Sequence, residues 1–252
     1  MGNLVKYEIK GYIKDLIGLI LVVMFFQILL LTKGLDIFGE KAIVIVFVNL
    51  IAVASVVTTL IWNIKLFSKD IYEDTSYLIY TVPKSTSAIL GSKFISSFIQ
   101  FAIVFLVNSF FVLNYFNITL NAFEYTREIP GHLILLFIIN GITGYLSFLA
   151  MIYFSITLGK VATKKIKVGK VAAWIIFLIT STVFQYIQFF ITRNLPDALV
   201  NNPKNITMYG KGSVQIVYGL ANANIIDSIF SIIIFIILFF STSYLLKEKL
   251  DL

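Results

Sequence analysis

The sequence predicts an all-α integral membrane protein with six transmembrane helices, and three observations carry that prediction. Hydrophobic residues make up 59% of the 252 and charged residues only 13%, against about 25% charged in a soluble domain. So apolar a chain could not cover a globular surface with polar groups, which excludes soluble, disordered and fibrous classes. The charges are also clustered, leaving charge-free gaps at 16–32, 42–64, 94–123, 129–159, 171–192 and 228–246. About 20 apolar residues cross the hydrocarbon of a bilayer as a helix. Finally, Pro83, Pro130, Pro196 and Pro203 all fall outside the spans read within these gaps, at places where helix breaking costs nothing.

The whole chain, 1–252, reads as one transmembrane domain with spans at 16–32, 42–64, 94–114, 132–158, 171–192 and 228–246. In segment 1–15, Val5, Ile9, Tyr12, Ile13 and Leu16 form one helical stripe and Lys6, Lys10 and Lys14 its neighbour. That pattern describes an amphipathic helix lying in the headgroup layer, ammonium groups toward anionic lipid, and turning into span one by an elbow. The acids in this flank and the lack of a cleavage site after Leu31 argue against a signal peptide. Gly2 is present, but Lys6 stands where myristoylation needs Ser or Thr.

Orientation follows from lysine and arginine. Segments 1–15, 65–93, 159–170 and 247–252 hold 14 of them, and segments 33–41, 115–131 and 193–227, of nearly the same total length, hold 6. The positive-inside rule makes the first set cytoplasmic, with both termini inside. Trp62 and Trp174 then sit at cytoplasmic span ends as interface anchors.

The spans lack deep Asp, Glu, Lys, Arg or His; His132 lies at the outer mouth of span four and reads as an interfacial polar residue. Ion-coupled carriers and voltage sensors generally place ionisable groups at membrane depth. With no cysteine and a single histidine, the chain offers no metal site and no intramembrane protease chemistry. Polar uncharged residues form stripes instead. Asn49, Ser55, Thr59 and Asn63 share one side of span two, and Ser181, Gln185, Gln188 and Thr192 one side of span five. Asn140, Thr143, Gly144 and Ser147 share a side of span four. These stripes read either as helix–helix packing or as a pathway or dimer seam. The apolar centre of span six, Ile232–Phe240, reads as lipid-facing.

Loop 65–93 carries the strongest local pattern. Asp70 and Glu73 have capping-box spacing, Ile71, Thr75, Leu78 and Ile79 recur with helical period, and Pro83 closes the segment. This predicts a short cytoplasmic helix, acidic at its start and aromatic at Tyr72, Tyr77 and Tyr80, that needs a docking surface because a helix of about 12 residues is marginal alone. Ser85–Ser87 caps a second helical stretch running through Lys93 into span three. The loop 193–227, with Pro196, Pro203, Gly210, Gly212 and Gly219, reads as an outer cap with little regular structure; within it 212–226 is too polar to span. Lys160, Lys164, Lys165, Lys167 and Lys170 form a basic loop that reads as a topology determinant and lipid headgroup contact, with a second partner contact as the alternative. The sequons Asn117-Ile118-Thr119 and Asn205-Ile206-Thr207 lie on the outer side and read as incidental matches.

These two segments, VKYEIKGYIKD at the N-terminus and FSKDIYEDTSYLIYTVPKSTSAILGSKF between spans two and three, resemble the elbow and coupling-helix loop of ABC-2-type permeases, particularly the small six-span permeases of Gram-positive bacteria. The resemblance implies that Asp70, Ile71, Tyr72, Glu73, Asp74, Tyr77 and Leu78 dock into a separate ABC ATPase. Two such subunits would serve each complex and bind the ATP and Mg, this chain holding no cofactor. It also implies a second permease copy or a sister permease meeting spans two and five, outer re-entrant helices in the place of 193–227, and the bacterial cytoplasmic membrane. Nothing matches G-x-x-x-x-G-K-[ST], so ATP hydrolysis is expected elsewhere and the chain is expected to be a non-catalytic permease exporting amphipathic or antimicrobial peptides or other hydrophobic compounds. Membrane lipid is a further expected partner and nucleic acid is not. A passive channel, an ion-coupled carrier and a non-transporting scaffold or sensor stay open as alternatives.

Overall fold

A computed structural model describes residues 2–72, 85–120, 131–163, 166–194, 206–209, 215–218 and 225–248. Its architecture is helical: α1 (Gly2–Phe38), α2 (Lys41–Tyr72), α3 (Thr86–Leu120), α4 (Gly131–Ala162), α5 (Ile166–Asn194) and α6 (Ile225–Glu248). All six are long and apolar enough to cross a membrane. Large apolar side chains stand exposed on every one of them, from Phe25 on α1 to Phe240 on α6, as lipid-facing surfaces require. Each helix overruns its charge-free gap at one end or both, because long charged side chains at span ends need not end a helix.

Three boundaries differ from the sequence reading. No turn separates the amphipathic segment from the first span: α1 is continuous from Gly2 to Phe38, and its N-terminal half is held along α3 by Glu8 and Tyr12. The capping-box spacing does not make Asp70 a helix N-terminus, since Asp70, Ile71 and Tyr72 lie in the last described turn of α2. Segment 193–227 contains an antiparallel hairpin, β1 (Ile206–Tyr209) pairing with β2 (Gln215–Tyr218), with Ile206 opposite Tyr218 and Tyr209 opposite Gln215. β-branched and aromatic residues on both strands and a glycine-bearing link suit a hairpin. The expected start of the α3 helix after Ser85 is observed.

The chain divides into two compact units. The first holds α1, α2 through Leu66 and α3 from Ala88. Gly39, with φ of +72°, ends α1 in the left-handed conformation that favours glycine, and α2 begins two residues later. A Cβ at Gly34 would lie 2.8 Å from Val44 Cγ1, so glycine is what lets the two helices meet closely there. Leu30, Val44, Val48 and Tyr115 form one apolar cluster, and Tyr12, Leu16 and Val104 another.

The second unit holds the last turns of α2 from Phe67, the start of α3, and everything from α4 onward. Here α4 is central: it packs along both α5 and α6, which touch each other little. Tyr153 stacks on Phe67 with ring centroids 3.9 Å apart, and the Tyr72 hydroxyl donates to the Ile156 carbonyl at 3.2 Å. At the α4–α5 corner a Cβ on Gly159 would meet the Gly169 carbonyl oxygen at 2.7 Å. Span six is not wholly lipid-facing: Ser228, Ile234, Leu238, Thr242, Ser243 and Leu246 are buried, while Ile232, Ile233, Ile236, Ile237 and Phe240 are exposed. The apolar run hides this asymmetry because both faces are equally greasy.

Candidate functional site

The two polar stripes that the sequence presents as equivalent have different fates. On α2, Ser55, Thr59 and Asn63 are buried and bonded within the first unit. The Asn63 amide donates to Gln100 Oε1 at 2.9 Å and its carbonyl accepts from the Ser97 hydroxyl at 2.8 Å. One step along, the Asn108 amide donates to Ser55 Oγ at 2.8 Å. Farther along, Gln27 of α1 donates to the Val48 carbonyl at 3.3 Å. Polar groups in a bundle without water must find such partners, so most of the span-two stripe is packing. Asn49 differs: it is exposed, its amide bonded to the Ile45 carbonyl one turn back.

The α5 stripe instead lines a groove in the second unit. With α4 as floor and α5 and α6 as walls, Asn140, Gly141, Gly144, Ser147, Phe148 and Met151 face Ser181, Phe184, Gln185 and Gln188 of α5 and Asp227, Ser231 and Ile234 of α6 around a cavity of about 480 Å³. The gap exists because α5 and α6 both pack on α4 but scarcely on each other. Gly141 and Gly144 deepen it, a Cβ on either meeting nothing within 4 Å. Thr143, on the expected polar side of α4, bonds the Ile139 carbonyl instead and is not part of the lining. For Thr192 only its place near the end of α5 is described.

The groove is polar at one end and largely apolar at the other, where Ser147 and Ser181 are the polar lining that remains. At the polar end Gln188 Nε2 donates to Asp227 Oδ1 at 3.1 Å, and the Ser228 hydroxyl beside it donates to Asn140 Oδ1 at 2.6 Å. Asn140 to Met151 is eleven residues of floor, roughly 16 Å, and the lining turns to Phe148, Met151 and Ile234 along it. Asp227 escapes a reading that ends spans at charges. It lies in the first turn of α6, where a carboxylate suits the helix dipole, and the signal that could have found it is that charge directly abutting a span.

The expected docking residues lie elsewhere. Asp70, Ile71 and Tyr72 are buried at the end of α2, and Glu73, Asp74, Tyr77 and Leu78 lie outside the described residues. The Tyr72 ring has the ammonium groups of Lys160 and Lys170 at 5.6 and 5.8 Å from its centroid, a cation–π arrangement that ties the basic α4–α5 corner to the end of α2. Among the described residues no three His, Asp or Glu converge as a metal site would need.

Six apolar helices, exposed apolar faces and interior polar bonds define a multi-pass membrane protein. No protein-family model, no curated protein and no solved structure matches the chain.

Proposed function

We propose that this chain is the membrane-spanning permease subunit of an ATP-driven, ABC-type exporter that carries amphipathic or hydrophobic molecules, antimicrobial peptides among the candidates, across the bacterial cytoplasmic membrane. The observation that carries this reading is the groove on α4, α5 and α6: a polar path walled by spans whose centres hold no charge. Such a path has no ion couple at mid-depth to drive it, so the energy comes from outside the bilayer. The likeness of loop 65–93 to a coupling-helix loop supplies the lever, with both termini and this loop on the cytoplasmic side.

On this reading the inward-facing Asp70, Ile71 and Tyr72 anchor the loop, and Glu73, Asp74, Tyr77 and Leu78 meet the ATPase. Lys6, Lys10 and Lys14 keep their role toward anionic lipid as the elbow segment, now one end of a continuous α1. A second permease, identical or sister, meets the uncovered face of α5, whose central span has no buried residue. ATP and Mg belong to the two ATPase subunits.

Charge reversal tests it. With Glu73→Lys and Asp74→Lys together, the detergent-solubilised chain should lose the ATPase that co-purifies with wild type. Co-purification at the wild-type level refutes the docking assignment. Solute movement by the reconstituted chain alone, without ATP, refutes the exporter reading as a whole.

A further inference from the structure

We propose that the α4–α5–α6 groove is a binding site for an amphipathic primary amine, with Asp227 as counter-ion to its ammonium group and the Phe148–Met151–Ile234 end as the seat of its apolar body. The groove supplies the three things such a ligand needs. One is charge: among the described residues of the lining Asp227 is the one acid, and none is basic. Among the described residues its partner is the neutral Gln188 amide, and no basic side chain pairs with it. The Gln188 bond fixes the carboxylate's direction while leaving its charge unspent.

The second is acceptors. A primary ammonium carries three N–H donors and is best held by several oxygens. Besides Asp227, the side chains of Gln185 and Ser231 line the groove with no hydrogen-bond partner among the described residues. An amide left bare beside apolar helix faces is costly, and α5 is otherwise covered there with Val183, Tyr186, Ile187, Phe189 and Phe190. The third is length with a gradient. From Asp227 and Gln188 the lining becomes mainly aromatic and aliphatic over roughly three turns of α4, with only the Ser147 and Ser181 hydroxyls, each bonded to a carbonyl of its own helix, among it, so a charged head and an apolar body are accommodated in one orientation. An anionic or bipolar ligand finds no cation among the described residues of the lining, and a wholly apolar one would leave the polar end unpaired.

This deepens the exporter reading by naming a substrate class, but the binding is measured without any ATPase, so the two fail separately. The full chain is placed in phosphatidylglycerol nanodiscs and titrated with radiolabelled dodecylamine against empty discs. Wild type should bind saturably. Asp227→Asn keeps an acceptor for Gln188 but removes the charge, and should weaken binding roughly tenfold to hundredfold, as loss of a charge-assisted bond does. Asp227→Glu should stay within a few-fold of wild type, showing that the fold survives change at this position. Gly144→Leu, which fills the floor, should abolish binding. Unlabelled dodecylamine should compete and dodecanol should not.

Equal affinity of wild type and Asp227→Asn, or equal competition by dodecanol, overturns the proposal. The ammonium of phosphatidylethanolamine shares this chemistry. If discs containing that lipid abolish dodecylamine binding and the lipid co-purifies with wild type but not with Asp227→Asn, the groove is a lipid headgroup seat and the free-amine assignment is wrong. Dodecylamine binding that survives the Glu73→Lys, Asp74→Lys change while the ATPase is lost supports this site on its own terms.

Discussion

Replacing Gly159 by alanine should destabilise the chain, while the same change at Gly144 on the same helix should stabilise it. A Cβ on Gly159 would lie 2.7 Å from the Gly169 carbonyl oxygen, 2.8 Å from the Ala173 amide nitrogen and 2.9 Å from Ala173 Cβ. Favourable carbon contacts begin near 3.5 Å, so α4 and α5 must part by roughly 0.5–1 Å. Two of the obstacles are backbone atoms and none is a flexible side-chain tip that could swing aside. Overpacking of this kind costs about 1–3 kcal/mol, against about 1 kcal/mol gained by alanine over glycine inside a helix. At Gly144 nothing lies within 4 Å, so only the gain remains. The two variants should therefore differ by about 1–3 kcal/mol, Gly144→Ala lying about 1 kcal/mol above wild type and Gly159→Ala about 0–2 kcal/mol below it. Melting midpoints in maltoside micelles, followed by loss of the monodisperse peak, read the difference directly. If Gly159→Ala melts at or above Gly144→Ala, the close α4–α5 crossing is wrong.

Three further outcomes follow from described contacts. Asn63→Leu removes a donor and an acceptor from the buried Ser97–Gln100 cluster; it should cost about 1–3 kcal/mol, and adding Gln100→Leu should recover part of the loss in the same melting assay. Lys93→Met leaves the Glu8 carboxylate without its 2.8 Å partner where the two side chains are only 4% and 20% exposed. The cost should approach about 3 kcal/mol, and Lys93→Met with Glu8→Met should be markedly more stable than Lys93→Met alone. Gln185→Leu with Gln188→Leu should leave melting within about 1 kcal/mol of wild type, since exposed or half-exposed positions are involved; on the proposed exporter reading it should abolish or change ATP-driven transport in proteoliposomes that also hold the ATPase. Unchanged transport would favour a scaffold or sensor.

The six helices are legible because the bilayer imposes a length and a composition that the charge-free gaps record directly. Helix ends are less legible: Lys65, Lys69 and Asp70 look like a loop in composition, yet α2 runs through them, since a charge near the interface bends away without breaking a backbone bond. The site is half legible. Helical period correctly puts Ser181, Gln185 and Gln188 on one side of α5, but period says nothing of what that side meets. The equally regular Ser55 and Asn63 turn out to be satisfied by Asn108, Ser97 and Gln100, partners that lie 34 to 53 residues away in the chain, and Thr59 by the Val56 carbonyl of its own helix. Asp227 is invisible for a different reason: a boundary drawn at charges excludes the one carboxylate that matters to the groove. The hairpin strands, four residues each, are too short for period to separate from loop.

The Glu8–Lys93 pair also dictates an order of manufacture. Its members are 85 residues apart, so Glu8 leaves the ribosome and reaches the membrane well before its lysine exists. Until α3 has been synthesised and threaded, that carboxylate must stay wetted, and the leading turns of α1 cannot settle into their final seat. Docking of the N-terminus is thus a late event in biogenesis, completed by the third span rather than begun by the first.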